Sequence, residues 1–150
     1  MIRGPFSAEA AEAFWDEDRW PNFSIKELVC KCGCGEVLWD EDVLDDAQAI
    51  RNELGHGLTL SSATRCRIHN NAVSSTGDTG PHTKGALDLA VMGGTAVQVI
   101  TMASARGVTG IGIKQHGNGR FVHIDRLENV AADSENDVKA VPRPWVWSYK

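Results

Sequence analysis

Nowhere does this chain stay apolar for the roughly 18 residues that a membrane-spanning helix requires, so no helical span is expected. Positive charge is also scarce. Fifteen Lys and Arg stand against 20 Asp and Glu, a formal net charge of −5, and no basic cluster is interleaved with aromatic rings. Nucleic acid is therefore not an expected partner. The opening segment MIRGPFSAEAAEAFWDEDRW lacks the apolar stretch of a secretory signal. No internal repeat is visible, and no pair of carboxylates is set for glycosidic chemistry.

What remains is the composition of an ordinary soluble globule, 42% hydrophobic and 23% charged over 150 residues. That length suits one domain able to bury about two-thirds of its unfolded surface. Acidic residues concentrate in Asp16–Asp18 and Asp40–Asp46. The pattern reads as α+β, a small antiparallel sheet with helices packed around it. A helix is expected over Phe6–Trp20, begun by Ser7 and ended by Pro21, as an N-terminal helical extension (1–21) to a domain over 22–150. Ser24 and Glu27 form a capping-box start. Val43, Leu44, Ala47, Ile50 and Leu54 recur at helical spacing before Gly55, predicting a helix over 42–54. LTLSSA (58–63) alternates as a strand, 68–73 suits a short helix, and 74–81 is a polar loop. A further helix is expected over 96–106, with Val97, Ile100 and Met102–Ala103 inward. GIGI (110–113) and RFVHIDR (120–126) read as antiparallel strands joined through His116-Gly-Asn-Gly119, and 129–139 as a polar connection.

The chemistry concentrates in GPHTKGALDLAV (80–91) and GRFVHIDR (119–126). In the first, Ala86, Asp88 and Ala90 share one strand face, opposite Leu87, Leu89 and Val91. In the second, Phe121, His123 and Asp125 share a face, opposite Val122 and Ile124. Two such strands facing one cavity bring Asp88 and His123 together, and His82 reaches them from the preceding loop. Gly85 permits close backbone approach there. His82, Asp88 and His123 make a three-ligand set of the kind that holds catalytic Zn²⁺, with the fourth position left for water. Zinc lowers the pKa of such a water to roughly 7. The set predicts a metal-dependent hydrolase.

These segments resemble the zinc D-alanyl-D-alanine carboxypeptidase and murein endopeptidase family, whose fold is shared by hedgehog signalling domains. The family's first motif, SxHxxGxAxD, corresponds to GPHTKGALD here, and its second, FVHxD, to FVHID. LTLSSATRCRIHNNAV (58–73) resembles the family's ITSGYRCPEHNxxV, and NFSIKELVCKCGCG (22–35) the lead-in common in phage-encoded members. RPWVWSY (143–149) resembles its closing segment. There are two departures: Asp88 follows His82 by six residues rather than seven, and Gly80 replaces the serine two before the histidine. The resemblance implies a zinc metallopeptidase cleaving peptide bonds in bacterial peptidoglycan, as a phage endolysin or virion-associated lysin. Such a protein resides in the host cytoplasm before release to the cell wall, or in the virion, where other virion components are partners. The competing reading is a non-catalytic wall-binding or tail-structural module that retains the fold.

Arg65 occupies the arginine position of the SGYR motif, where a guanidinium holds a substrate carboxylate or polarises the scissile carbonyl. The position three before His123 is Arg120, which stays protonated and cannot serve as a base. Asp125 is the first candidate for that role and equally a partner orienting His123; His116, in its glycine-flanked loop, is the alternative base. Trp145 and Trp147 suit either a substrate groove or the core. Cys30, Cys32, Cys34 and Cys66 admit a structural metal site, disulfides or free buried thiols. In each case they staple the 23–35 lead-in to the segment after Arg65.

Overall fold

A computed structural model describes residues 1–135 and 140–150; residues 136–139, in the expected polar connection, lie outside the described residues. The chain opens with β1 (Ile2–Ser7), not with the expected helix. Ser7 accepts from the Ala10 backbone N–H and starts a single turn, α1 (Ala8–Ala11), which tightens into a 3₁₀ turn over Glu12–Phe14. The alanine-rich stretch has helical propensity, but burial decides otherwise. Pairing β1 with β2 (Glu36–Asp40) covers Val37 and Trp39, and Trp20 is packed by a non-helical turn against Trp39 with ring centroids 6.4 Å apart. Phe14 is exposed and stacks on Phe6.

Between β1 and β2, α2 (Ile25–Leu28) buries Ile25 and Leu28; the expected capping box does not form, because the Ser24 hydroxyl donates to the Glu27 carboxylate instead of accepting from the backbone. β2 runs directly into α3 (Glu41–Leu54), the expected central helix. Asp40 caps it by accepting from the Asp42 N–H, and Gly55 ends it at φ 73°, in the left-handed region that favours glycine. Then come β3 (Leu60–Ser62), α4 (Arg67–Val73), β4 (Leu87–Leu89), α5 (Gly93–Ala105), β5 (Gly110–Lys114), β6 (Phe121–Asp125) and β7 (Trp145–Ser148). Five strands form one sheet in the order β3-β4-β6-β5-β7. Its inner pairs are antiparallel as expected, while β7 joins β5 in parallel.

The apolar face of β4 and β6, with Leu87, Leu89, Val122 and Ile124 buried, packs with α3 and α5 into one core. α5 starts three residues earlier than expected. It buries Ala96, Val99 and Ala103 and leaves Val97 exposed, correcting the expected inward face. One buried charge ties these layers. Asp46 on α3 accepts from Arg106 at the end of α5 and from Arg126 just after β6, at 2.9 and 2.5 Å. No helix among the described residues is long and apolar enough to cross a membrane.

Gly85, entering β4, has φ +91°, and a Cβ there would collide with the backbone of Trp39 and Asp40. The close approach expected of this glycine locks the loop carrying His82 to the β1–β2 layer. Gly85→Ala should cost about 1–3 kcal/mol, from left-handed strain and overpacking combined. Urea denaturation measures this; an unchanged midpoint would mean that the two layers are not in tight contact.

Candidate metal centre

Strand register does the first part of the assembly. β4 and β6 pair so that Asp88 lies directly opposite His123, on the face away from the core. Both are nonetheless buried, at 2% and 1% exposure, because the loop carrying His82 and the C-terminal segment cover that face. His82 arrives on a 3₁₀ turn, Pro81–Thr83, held by the Thr83 hydroxyl, which accepts from the Gly80 N–H and donates to the Gly80 carbonyl. Buried Asn70 fixes the loop before it, donating to Thr76 Oγ1 and the Gly77 carbonyl. At Gly80 a Cβ would meet Thr76 Oγ1, so a serine side chain does not fit this packing.

The two imidazoles are oriented by different partners. His82 Nδ1 lies 2.7 Å from the Ala63 carbonyl, so Nδ1–H donates there and the Nε2 lone pair faces Asp88. That Nε2 is 3.2 Å from Asp88 Oδ2 but off the hydrogen-bonding direction, and among the described residues it has no hydrogen-bond partner. His123 Nε2 lies 3.1 Å from Asp125 Oδ2, and its Nδ1 2.8 Å from Asp88 Oδ1. Asp125 is itself gripped by Arg143, whose Nε and Nη2 donate at 2.8 and 2.6 Å, and by the Leu127 N–H. With Nε2–H donated to Asp125, Nδ1 is left to donate a proton to Asp88 or, once a cation displaces that proton, an electron pair to the cation.

One donor atom from each of His82, Asp88 and His123 therefore lies within 4.8 Å of the other two, all buried. Two nitrogen lone pairs and a carboxylate converging on one point, with an orphaned buried nitrogen among them, fit a divalent cation better than they fit one another. These three residues would hold zinc, and Asp125 would supply the carboxylate that orients a metal-bound histidine. Without a cation, protons take part of its place among these groups. Burial raises the Asp88 pKa, but the adjoining histidines outweigh it and hold the carboxylate ionised, well below its ordinary range. Burial pushes His82 down, keeping it neutral. Burial also lowers His123, but hydrogen bonds to Asp125 and Asp88 reverse this and raise it.

Of the other anticipated residues, Arg65 sits beside the group: its Nη2 is 3.6 Å from Asp88 Oδ2, and its backbone N–H donates to the His82 carbonyl. Asp125 lies on the far side of the His123 ring from Asp88. His116 stands on the exposed β5–β6 turn, outside the three-residue group, with Nε2 3.2 Å from the Tyr149 carbonyl. Trp147 covers His123 with ring centroids 5.1 Å apart, whereas Trp145 is exposed. Arg143, the Ala63 carbonyl and Tyr149 were not anticipated as individual residues. Burial raises the Tyr149 pKa to about 12, with Asp88 contributing, so its hydroxyl remains a donor near the site. The RPW segment is the sequence signal that points to Arg143; a main-chain carbonyl such as that of Ala63 leaves none.

Removing the Arg143 clamp should loosen His123 without removing a ligand. Arg143→Ala should weaken zinc binding by about 10–100-fold, the usual effect of losing an orienting partner. Competition against a chromophoric chelator measures this; wild-type affinity in the variant would show that Asp125 needs no clamp. Because ligand histidines must be deprotonated, zinc affinity should fall as pH drops through the histidine range, with proton release on binding. Calorimetry in buffers of different ionisation enthalpy reads that release directly.

A family model described as Peptidase M15 matches residues 21–125, a stretch containing His82, Asp88, His123 and Arg65 but not Arg143 or β7. Neither the curated proteins nor the solved structures give a match. The expected family and the His/Asp/His donor set thus coincide, and peptidases of this family depend on zinc. The chain belongs to the Peptidase M15 family of zinc metallopeptidases.

Proposed function

We propose that this metallopeptidase hydrolyses peptide bonds in bacterial peptidoglycan, and that it is a phage-encoded lysin. The observation that carries the hydrolytic reading is the buried convergence of His82, Asp88 and His123, with no hydrogen-bond partner for His82 Nε2 among the described residues. The carboxylates beside it also argue against sugar chemistry. Asp88 and Asp125 sandwich the His123 imidazole and are held ionised by it, leaving no protonated acid facing a second carboxylate. The wall substrate is supported by the SATRC and FVHID motifs, and the phage origin by the 22–35 lead-in.

His82, Asp88 and His123 would hold zinc, which would supply Lewis acidity to water and to the scissile carbonyl. The chain's own residues do the rest. Arg65, partly exposed next to Asp88, presents N–H donors to the carbonyl oxygen or a terminal carboxylate of the stem peptide. Trp147 and Tyr149 wall the site and exclude water from one side. Asp125 acts as a positioning residue: with Arg143 and Leu127 on one side and His123 on the other, its carboxylate is engaged in holding the imidazole. With Asp125 engaged and Arg120 protonated, His116, on the turn beside the Tyr149 carbonyl, is the remaining candidate to carry the proton from the attacking water to the leaving amine.

Incubation with purified peptidoglycan, followed by mass spectrometry of the fragments, should reveal new peptide termini on intact glycan, abolished by chelator. Binding to sacculi without new termini would identify a non-catalytic module instead; new reducing ends alone would overturn the peptidase assignment. Added protein should also clear a suspension of permeabilised host-type cells.

The residue roles are separable. Arg65→Ala should lose turnover by roughly 10²-fold with zinc content unchanged, as expected for loss of one electrostatic donor. His116→Ala should lose about 10²-fold or more and keep its zinc, whereas Asp125→Asn should lose zinc affinity first. If His116→Ala is fully active and Asp125→Asn holds zinc but is inert, the two roles are reversed.

A further inference from the structure

The four cysteines are gathered at one point, away from the histidine group. Cys30, Cys32, Cys34 and Cys66 each place Sγ within 4.8 Å of the others, yet none is disulfide-bonded. Cys30 Sγ and Cys32 Sγ are 3.5 Å apart, and Cys32 Sγ and Cys66 Sγ 3.7 Å. A disulfide requires about 2.05 Å. A tetrahedron of sulfurs around zinc, with bonds of about 2.3 Å, has edges of about 3.8 Å. These two spacings match the edges of a tetrahedral tetrathiolate and not a disulfide, and the remaining sulfurs lie within reach of the same centre.

The backbone is shaped to make this cluster. In an extended strand, alternate residues are about 6.6 Å apart, too far for three sulfurs of C-x-C-x-C to share one ion. Gly33 and Gly35, at φ 86° and 77°, fold the run into a turn, closed by Gly33 N–H on the Cys30 carbonyl. Three main-chain N–H groups then point at sulfur: Cys66 to Cys30 at 3.3 Å, Glu36 to Cys34 at 3.4 Å and His69 to Cys66 at 3.3 Å. The His69 ring adds Nδ1 at 3.3 Å from Cys30 Sγ. Hydrogen-bond donors converging on sulfur suit thiolates, whose charge they stabilise, more than neutral thiols.

We propose that these four cysteines hold a second zinc ion, structural and not catalytic. Four protein ligands close the coordination sphere and leave no position for water or substrate. His69 orients the Cys30 sulfur from outside the sphere. The ion fastens the lead-in before β2 to the N-terminus of α4. One residue upstream of Cys66 is Arg65, and Ala63, whose carbonyl orients His82, is two further back. The cysteine ion thus sets the backbone from which the catalytic centre is hung.

The test is metal analysis of the full chain purified under reducing conditions, with cobalt as spectroscopic probe. Wild-type protein should carry two zinc ions. Cobalt-loaded protein should show the intense near-ultraviolet absorption of sulfur-to-cobalt charge transfer, which nitrogen and oxygen ligands do not give. His123→Ala should fall to one ion and keep the sulfur band, so failure at the histidine group is distinguishable from failure here. Cys34→Ser, at an exposed position, should weaken the band, because one of the four sulfur–cobalt bonds is gone, and leave the ion at the histidine group in place. In the wild-type zinc protein the thiols should resist a thiol reagent until chelator is added. Absence of the sulfur band in cobalt-loaded wild type, or four thiols that react at the free-cysteine rate in the zinc-loaded protein, overturns the proposal.

Discussion

A carboxylate removed from water must be matched by positive charge or donors, or it takes up a proton, and Asp88 is buried at the centre of this sheet. Everything around it answers that requirement. His82 approaches one oxygen and His123 the other, with Arg65 further out. His123 in turn is placed between Asp88 and Asp125, and Asp125 is answered by Arg143 from the segment leading into β7. The chain of alternating charges runs from β4 through β6 to the C-terminal segment. Each link is buried, so each fixes the rotamer of the next. A cation among His82, Asp88 and His123 completes the neutralisation that the protein groups begin.

The same logic explains why the fold spends so much of a short chain on covering one sheet face. The far face of β4 and β6 is ordinary core against α3 and α5. The polar face needs low dielectric to make its few charges effective. Its cover comes from three separate places: the Pro81–Thr83 turn, the Arg65 segment tethered to the cysteine cluster, and the aromatic end of the chain. Thr64 joins the second of these to β2, its hydroxyl accepting from the Leu38 N–H and donating to the Leu38 carbonyl.

Much of this was legible in the residues. Alternation in ALDLA and FVHID places Asp88 and His123 on matching faces, because side-chain direction in a strand is a property of parity alone. α3 is legible for a similar reason, being amphipathic with a glycine stop. With His82 six residues before Asp88, the three donor atoms lie within 4.8 Å of one another. Parity at Asp88 is set by the pairing of β4, independently of the loop that precedes Gly85. What could not be read was non-local. The 6–20 stretch has helical composition, but Val37 and Trp39 needed a strand partner, and that need appears nowhere in the stretch itself. The pairing of Asp125 with Arg143 spans a connection whose length carries no information on where it returns, and the parallel docking of β7 follows from the same return.

β5 contributes to the centre by what it omits. Gly110 stands opposite Asp125 and Gly112 opposite His123 in the ladder. A methyl group on Gly110 would occupy the space of the Asp125 carboxylate, and one on Gly112 would come within 2.7 Å of the Trp147 ring and 2.8 Å of Tyr149. Neither glycine has a left-handed backbone, so alanine would be comfortable at both positions as far as the strand itself is concerned. The pair therefore acts as a mould, recording in its missing atoms the shape of the charged and aromatic groups laid over it. A side chain at either position of this chain would push aside the group laid over it, even with every histidine and aspartate in place.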